Sequence, residues 1–221
     1  MQIHADLSQR AVSNSNQLPW VDSPLPGVQR RMLERDGEEV ARATSIVRYA
    51  PGSYFDAHSH SGGEEFLVLD GVFSDEMGDF HQGMYVRNPI GSQHQPYSAG
   101  GATILVKLQQ FDENDQQFVR LDTTTADWLP GPAQGLEVLP LHHHGLEQVA
   151  LVKWTPGTQY LQHRHPGGEE IFVLSGVFAD EHGSYPAGTW IRNPAGSEHT
   201  PYSDEGCVIY VKTGHLPANP R

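Results

Sequence analysis

Cysteine is nearly missing from this chain: Cys207 is the single one in 221 residues. No intramolecular disulfide can form, and any metal held by the protein must be held by histidine and carboxylate rather than thiolate. That usage fits a reducing compartment. Positive charge is also scarce, with 14 Lys and Arg against 27 Asp and Glu and a net charge of −13. Phosphate backbones and anionic membranes are gripped by clustered Lys and Arg, so neither nucleic acid nor a membrane surface is an expected partner. Long apolar runs are missing too. The longest, residues 66–69 and 208–211, have the length of strands, far from the roughly 20 residues that span a bilayer. The polar first 20 residues lack the basic start and apolar core of a secretory signal, so the expected location is the cytoplasm. Helix-length apolar periodicity is absent as well.

What is present is punctuation. Twenty-three glycines and 16 prolines break the chain into short runs rich in Val, Ile, Leu, Phe and Tyr, the rhythm of many short strands and tight turns. Strands are expected at residues 44–49, 66–69, 84–87 and 104–108, and again at 149–154, 171–174, 189–192 and 208–212, with the second of each set ending at Gly71 and Gly176. An all-β chain with so many antiparallel strands must close into a barrel or sandwich to protect its edges. The chain also repeats itself. Residues 51–98 and 156–203 agree at 26 of 48 positions without a gap, which predicts two domains, residues 1–126 and 127–221, joined by the polar stretch 122–127. Two barrels in one chain allow a monomer or a homodimer.

The repeated block carries a metal-ligand pattern. Gly52-x5-His58-x-His60-x3-Glu64-x6-Gly71, followed by Gly83-x5-Pro89-x-Gly91-x2-His94, recurs with Gly157, His163, His165, Glu169, Gly176, Gly188, Pro194, Gly196 and His199. Two histidines at i and i+2 of an extended segment leave the same face about 6.6 Å apart, two strand steps. Gly62-Gly63 lets the chain turn and return Glu64 toward them, and His94 arrives from a later strand. Three nitrogens and one oxygen suit zinc, iron, manganese, nickel or copper rather than the all-oxygen shells of calcium and magnesium. With 13 histidines, one His-x-His pair is expected about once by chance and means little alone. The ordered set, written twice, predicts one divalent metal per domain, held by His58, His60, Glu64 and His94 and by His163, His165, Glu169 and His199.

This two-part pattern resembles the signature of the cupin superfamily, with Ser98 and Ser203 where that signature often has Asn. Gly-Gly-Glu-Glu-Phe-Leu-Val-Leu-Asp-Gly-Val-Phe-Ser-Asp-Glu (62–76), its counterpart at 167–181 and the Arg-Asn-Pro-x-Gly-Ser-x-His-x-Pro-Tyr-Ser stretches resemble more narrowly the cupin domain of ChrR-type anti-sigma factors. The resemblance covers residues 20–215. It implies two tandem double-stranded β-helix (jelly-roll) barrels forming a bicupin, zinc as the first expected metal, a sensory role in oxidative stress and a sigma factor as partner. The family's anti-sigma domain carries a His-x3-Cys-x2-Cys cluster that the first 20 residues here do not contain. The other class of function is a metal-dependent dioxygenase using iron in the same shell, for which no catalytic residue beyond the ligands stands out. The small-molecule ligand is not legible.

Other features carry structural expectations. Neighbours on a strand face opposite ways, and the superfamily spacing of six residues to the next glycine selects Glu64 and Glu169 over Glu65 and Glu170. Arg87 and Arg192, with Asn88 and Asn193, are placed either to hold an acidic ligand near the metal or, as the preferred expectation, to pair with the repeated acids Asp75-Glu76 and Asp180-Glu181; Tyr97 and Tyr202 are placed either to donate to a metal-bound oxygen or to pack at the barrel mouths. His142, His143 and His144 read as a solvated loop. His81, His182 and Cys207 have no counterpart in the other half and read as surface or core filler.

Overall fold

The computed structural model describes residues 1–218. Apart from a 3-10 turn at Ser15–Gln17, its regular structure is β. The strands that carry the architecture are β1 (Ala11–Asn14), β2 (Val28–Gly37), β3 (Ala41–Tyr49), β4 (Glu64–Asp75), β5 (Met84–Asn88), β6 (Ala102–Leu108) and β7 (Val119–Asp122). They continue as β8 (Leu136–His144), β9 (Glu147–Trp154), β10 (Glu169–Asp180), β11 (Thr189–Asn193) and β12 (Cys207–Thr213). The chain divides into two compact units, and all pairings between the labelled strands are antiparallel.

The first unit takes Met1–Ala5 and Leu18–Ala126, and its large sheet runs β2-β3-β6-β4-β5-β7. The second takes Asp6–Gln17 and Asp127–Arg221, and its sheet runs β8-β9-β12-β10-β11-β1. The order is the same in both, a jelly roll built twice. One strand in each comes from an unexpected place. The edge beside β11 is covered by β1, near the start of the chain, with Ala11 opposite Arg192 and Asn14 opposite Thr189. The matching edge beside β5 is covered by β7, with Val119 opposite Arg87 and Asp122 opposite Met84. Residues 6–17 therefore fall with the second unit and not with the rest of the first 126 residues. Asp122 is still strand, and residues 122–126 form a turn closed by the Ala126 amide donating to the Asp122 carbonyl at 3.2 Å.

Two expectations are corrected. Gly71 and Gly176 do not end a strand. β4 and β10 run twelve residues each, straight through them. Both glycines have positive φ (74° and 70°), and any side chain there would strike the carbonyl of Gly101 or Gly206. A glycine inside a strand marks a bulge where the strand bends and a neighbour approaches closely, and the register against β6 and β12 shifts beside each. That bend lets one strand serve the large sheet with its first half and the short outer strands with its second. His142, His143 and His144 belong to β8 rather than to a loop, and His142 is buried.

Each unit has its own core. Phe66, Val68, Phe73, Phe80, Val86 and Ile104 fill the first, and Ile171, Val173, Phe178, Tyr185, Ile191 and Ile209 fill the second. Full burial of each such side chain contributes on the order of 1.5–3 kcal/mol. At 1% exposure, Phe66 and Phe73 stack edge to face 4.9 Å apart, directly behind the site described next.

Candidate metal centres

Short strands inside the barrels place the histidines. His58–Ser59 pairs with Gln93–His94 so that His58 lies opposite His94, and His163–His165 pairs with Ser197–His199 so that His163 lies opposite His199. Gly63, at φ 77°, turns the chain between His60 and β4, where a side chain would collide with the Phe111 ring. The three rings of each set converge. Centroid separations are 5.0, 4.9 and 4.6 Å among His58, His60 and His94, and 4.6, 4.8 and 5.0 Å among His163, His165 and His199. Each trio offers ring nitrogens within 4.8 Å of one another.

The carboxylates complete the picture. Glu64 brings an oxygen to 3.5 Å from His60 Nε2 and 3.6 Å from His94 Nε2, and Glu169 does the same for His165 and His199. The chain puts Glu64 and Glu65 on opposite faces. Glu65 faces away and accepts from Tyr85 Oη at 2.8 Å and Arg87 Nη1 at 2.6 Å. Glu170 likewise accepts from Trp190 Nε1 at 3.1 Å and sits 3.0 Å from His215 Nε2.

The surrounding bonds fix which nitrogen points inward. His58 Nδ1 donates to the Asp56 carbonyl at 2.9 Å, and His163 Nδ1 to that of Leu161 at 2.9 Å. Asp75 holds His94 Nδ1 at 3.1 Å, and Asp180 approaches His199 Nδ1 at 3.6 Å. An imidazole whose Nδ1 hydrogen is engaged outward presents the lone pair of Nε2 inward, the usual second partner of a metal-bound histidine. His60 Nε2 and His94 Nε2 are buried without a hydrogen-bond partner, and in the second unit His165 Nε2 faces His199 Nε2 across 3.1 Å. An orphaned buried nitrogen costs roughly 1–3 kcal/mol, and two facing lone pairs repel unless a proton or cation lies between them. The donor set therefore fits a divalent transition metal.

Burial depresses the pKa of His60 and His165 below the usual histidine range. Burial opposes charge on His94 and His199 too, but the carboxylates Asp75 with Glu64, and Asp180 with Glu169, outweigh it and raise both. Asp180 is held down at about 2: burial pushes it up, and the nearby His199 with the bonds from Tyr185 and the His182 amide overcome that.

Asn88 and Asn193, which follow Arg87 and Arg192 in the repeated Arg-Asn-Pro turn, stand behind the ligands. Asn88 Nδ2 donates to Glu64 at 2.9 Å, and Asn193 Nδ2 to Glu169 at 2.9 Å. Each asparagine is in turn held by an arginine from the covering strand or the residue just before it. Arg120 Nη2 donates to Asn88 Oδ1 at 2.6 Å, and Arg10 Nε to Asn193 Oδ1 at 3.0 Å. Arg10 also donates to Tyr185 Oη, which donates to Asp180. Asp75 and Asp180 were legible as a repeated acid, but paired with the wrong group. Arg87 binds Glu65 and Asp115 instead (2.6 Å each), and Arg192 donates to the Asp6 and Gln9 carbonyls, because both guanidiniums lie fully buried on the face opposite the histidines. Glu76 and Glu181 accept from the Gln95 and Thr200 amides.

A cavity of about 430 Å³ opens beside the first trio, walled by Leu25, Val47, Tyr49, Phe55, Ile104 and Val106 among others. One of about 300 Å³ opens beside the second, walled by Leu136, Trp154, Tyr160, Phe178, Ile209 and Val211. Tyr97 and Tyr202 lie on outer strands and line neither. Cys207 is buried, and that burial pushes its thiol up to about 11, so it offers no reactive thiolate.

Comparison with known proteins agrees with this architecture. The family described as ChrR Cupin-like domain matches the chain twice, over residues 8–112 and 116–217. No curated protein matches it in sequence. Among solved structures it resembles a dioxygenase candidate from Nostoc punctiforme (TM-score 0.78, 17% identity, 96% of this chain and 85% of that one). It also resembles protein Ylba from Escherichia coli (0.74, 16%, 99% and 96%) and a Cupin 2 conserved barrel domain protein from Leptotrichia buccalis (0.62, 11%, 96% and 99%). At these identities the likeness establishes the fold.

Proposed function

The chain belongs to the ChrR cupin-like family, and on that footing we propose that it is a small-molecule-binding bicupin with one divalent metal in each unit, zinc before iron, manganese or nickel. The ligands are His58, His60, Glu64 and His94, and His163, His165, Glu169 and His199. The observation that carries this reading is the pair of orphaned inward nitrogens on His60 and His94, in a site where the outward nitrogens of His58 and His94 are already engaged. A metal there would supply a Lewis acid. The chain's own residues supply the rest: Asn88 and Asn193 orient the glutamates, Asp75 and Asp180 stand behind His94 and His199, and apolar side chains line much of each cavity. A purely structural metal needs no cavity, and each trio has one beside it. That favours a ligand-responsive centre, with regulation of a stress response as the role and a sigma factor as the partner that the family suggests.

The second reading is an iron-dependent dioxygenase, favoured by the same cavities and by the description of the Nostoc punctiforme neighbour. Untagged protein should carry two metal equivalents by plasma mass spectrometry, and His60→Ala and His165→Ala should each lose one. If neither loses metal, the ligand assignment is wrong. Oxygen uptake by the iron form with diketone and thiol substrates separates the two readings. Turnover there would replace the binding role with the catalytic one.

A further inference from the structure

The two metal-facing cavities sit in equivalent barrels but differ at one wall. Arg30, on β2, lines the first, and Val138, on β8, lines the second. The positions are equivalent by register: Arg30 lies opposite Val47 and Val21, and Val138 opposite Val152 and Leu129. The repeat thus preserves the histidines while exchanging a guanidinium for an isopropyl group. Among the described residues, no Lys, Arg or acid other than the proposed ligand Glu169 lines the second cavity. In the first, Arg30 is the one Lys or Arg among the described lining residues.

Arg30 is poorly served by its own protein. Its side chain is only 18% exposed, its Nε is buried without a hydrogen-bond partner, and Nη1 and Nη2 reach Glu39 at 3.2 and 3.4 Å. Glu39 is 64% exposed, so water competes for its carboxylate. A fork of donors with a weak, solvated partner is a place where a second carboxylate can compete, since guanidinium binds carboxylate in a bidentate geometry. The other acids on this wall do not fill that role. Asp56 is exposed, and Glu64 is held by Asn88 against the histidines. Val28, Val47, Ile104 and Val106 give the same cavity an apolar wall, with Val47 opposite Arg30 and Ile104 opposite Val47. The volume, about 430 Å³, falls in the range of small-ligand pockets.

We propose that the first cavity takes a small organic anion, a carboxylate with an apolar body, anchored by Arg30 with its body toward the histidine trio, whereas the second takes a neutral apolar ligand. This rests on the reading of the trios as metal centres only for what the ligand's far end meets.

Calorimetric titration of the zinc-loaded protein with hexanoate and with hexanamide tests it, with metal content measured on the same samples. Hexanoate binds one site per chain, more tightly than hexanamide. Arg30→Val, which copies the second barrel, weakens hexanoate at least tenfold and leaves hexanamide and both metals in place. Glu39→Gln, a surface change, tightens hexanoate several-fold by freeing the guanidinium. The proposal is overturned if wild type does not bind hexanoate, if hexanamide competes equally well for the hexanoate site, or if either substitution leaves hexanoate affinity unchanged. Two hexanoate sites insensitive to Arg30 would mean direct metal ligation and would also overturn it. Protein that carries no metal but keeps the Arg30-dependent hexanoate site would sink the metal reading alone.

Discussion

At the scale of single residues, each trio combines histidines pushed in opposite directions. His94 and His199 lie above the ordinary histidine value of 6.5 because Asp75 and Asp180 favour their charged forms, while burial keeps His60 and His165 below it. A raised pKa means that the folded, metal-free protein holds the proton more tightly than the unfolded chain. That contribution to stability is complete below 6.5 and is lost as pH rises through the raised values. Metal reverses the preference, because a coordinated nitrogen cannot carry a proton. Metal affinity should therefore begin to fall as pH drops through the raised pKa of His94 and His199, by about tenfold per pH unit for each proton that must be displaced. Asp180, at about 2, stays ionised throughout, so it neither drives the release nor masks it. Chelator competition across a pH series measures this, and a flat profile would mean that neither histidine is a ligand.

At the scale of elements, the strands that cover β5 and β11 do more than protect an edge. Arg120 and Arg10 hold the asparagines that orient the glutamates, and groups that orient metal ligands typically matter about 10–100-fold in affinity. Arg120→Ala should weaken the first centre alone and Arg10→Ala the second alone, each by about tenfold, read by native mass spectrometry under chelator competition. Removal of residues 1–17 should reproduce the Arg10→Ala defect at the second centre.

Much of this was legible beforehand. The fixed spacing of His58, His60, Glu64 and His94 and its exact recurrence are sequence facts, and so were the cores of β3, β6, β9 and β12. The arginines were not legible, for a geometric reason. By register Ala11 corresponds to Val119 and Val12 to Arg120, so Arg10 precedes its counterpart by two positions. Two residues along a strand is the same face, which lets both guanidiniums reach the same asparagine although a comparison of the repeats never aligns them. The bends at Gly71 and Gly176, two residues beyond the bulged Leu69 and Leu174, read as strand ends in the sequence because a glycine after an apolar run signals a turn as readily as a bend within a strand.

At the scale of the whole molecule, metal and stability are linked. A ligand that binds only the folded state at 1,000 times its dissociation constant adds about 4 kcal/mol, and for a chain of this size each kcal/mol moves the midpoint by roughly 2–4 °C. Stripping the metals with a chelator should lower the calorimetric transition by about 10 °C, and readdition should restore it. An unchanged transition would show that the trios are stable without a cation.

The pairing of β1 with β11 sets an order of events during synthesis. Ala11 leaves the ribosome about 180 residues before Arg192, the residue it must lie against. At about 5–20 residues per second the nascent chain waits roughly ten to forty seconds with that strand unpaired. The first barrel has all its strands by Asp122 and can close while translation continues. The second has to retrieve a piece made before almost everything else. A chain whose N-terminus is held by a bulky fusion or a binding partner during that interval should complete its first barrel and leave its second open at the edge.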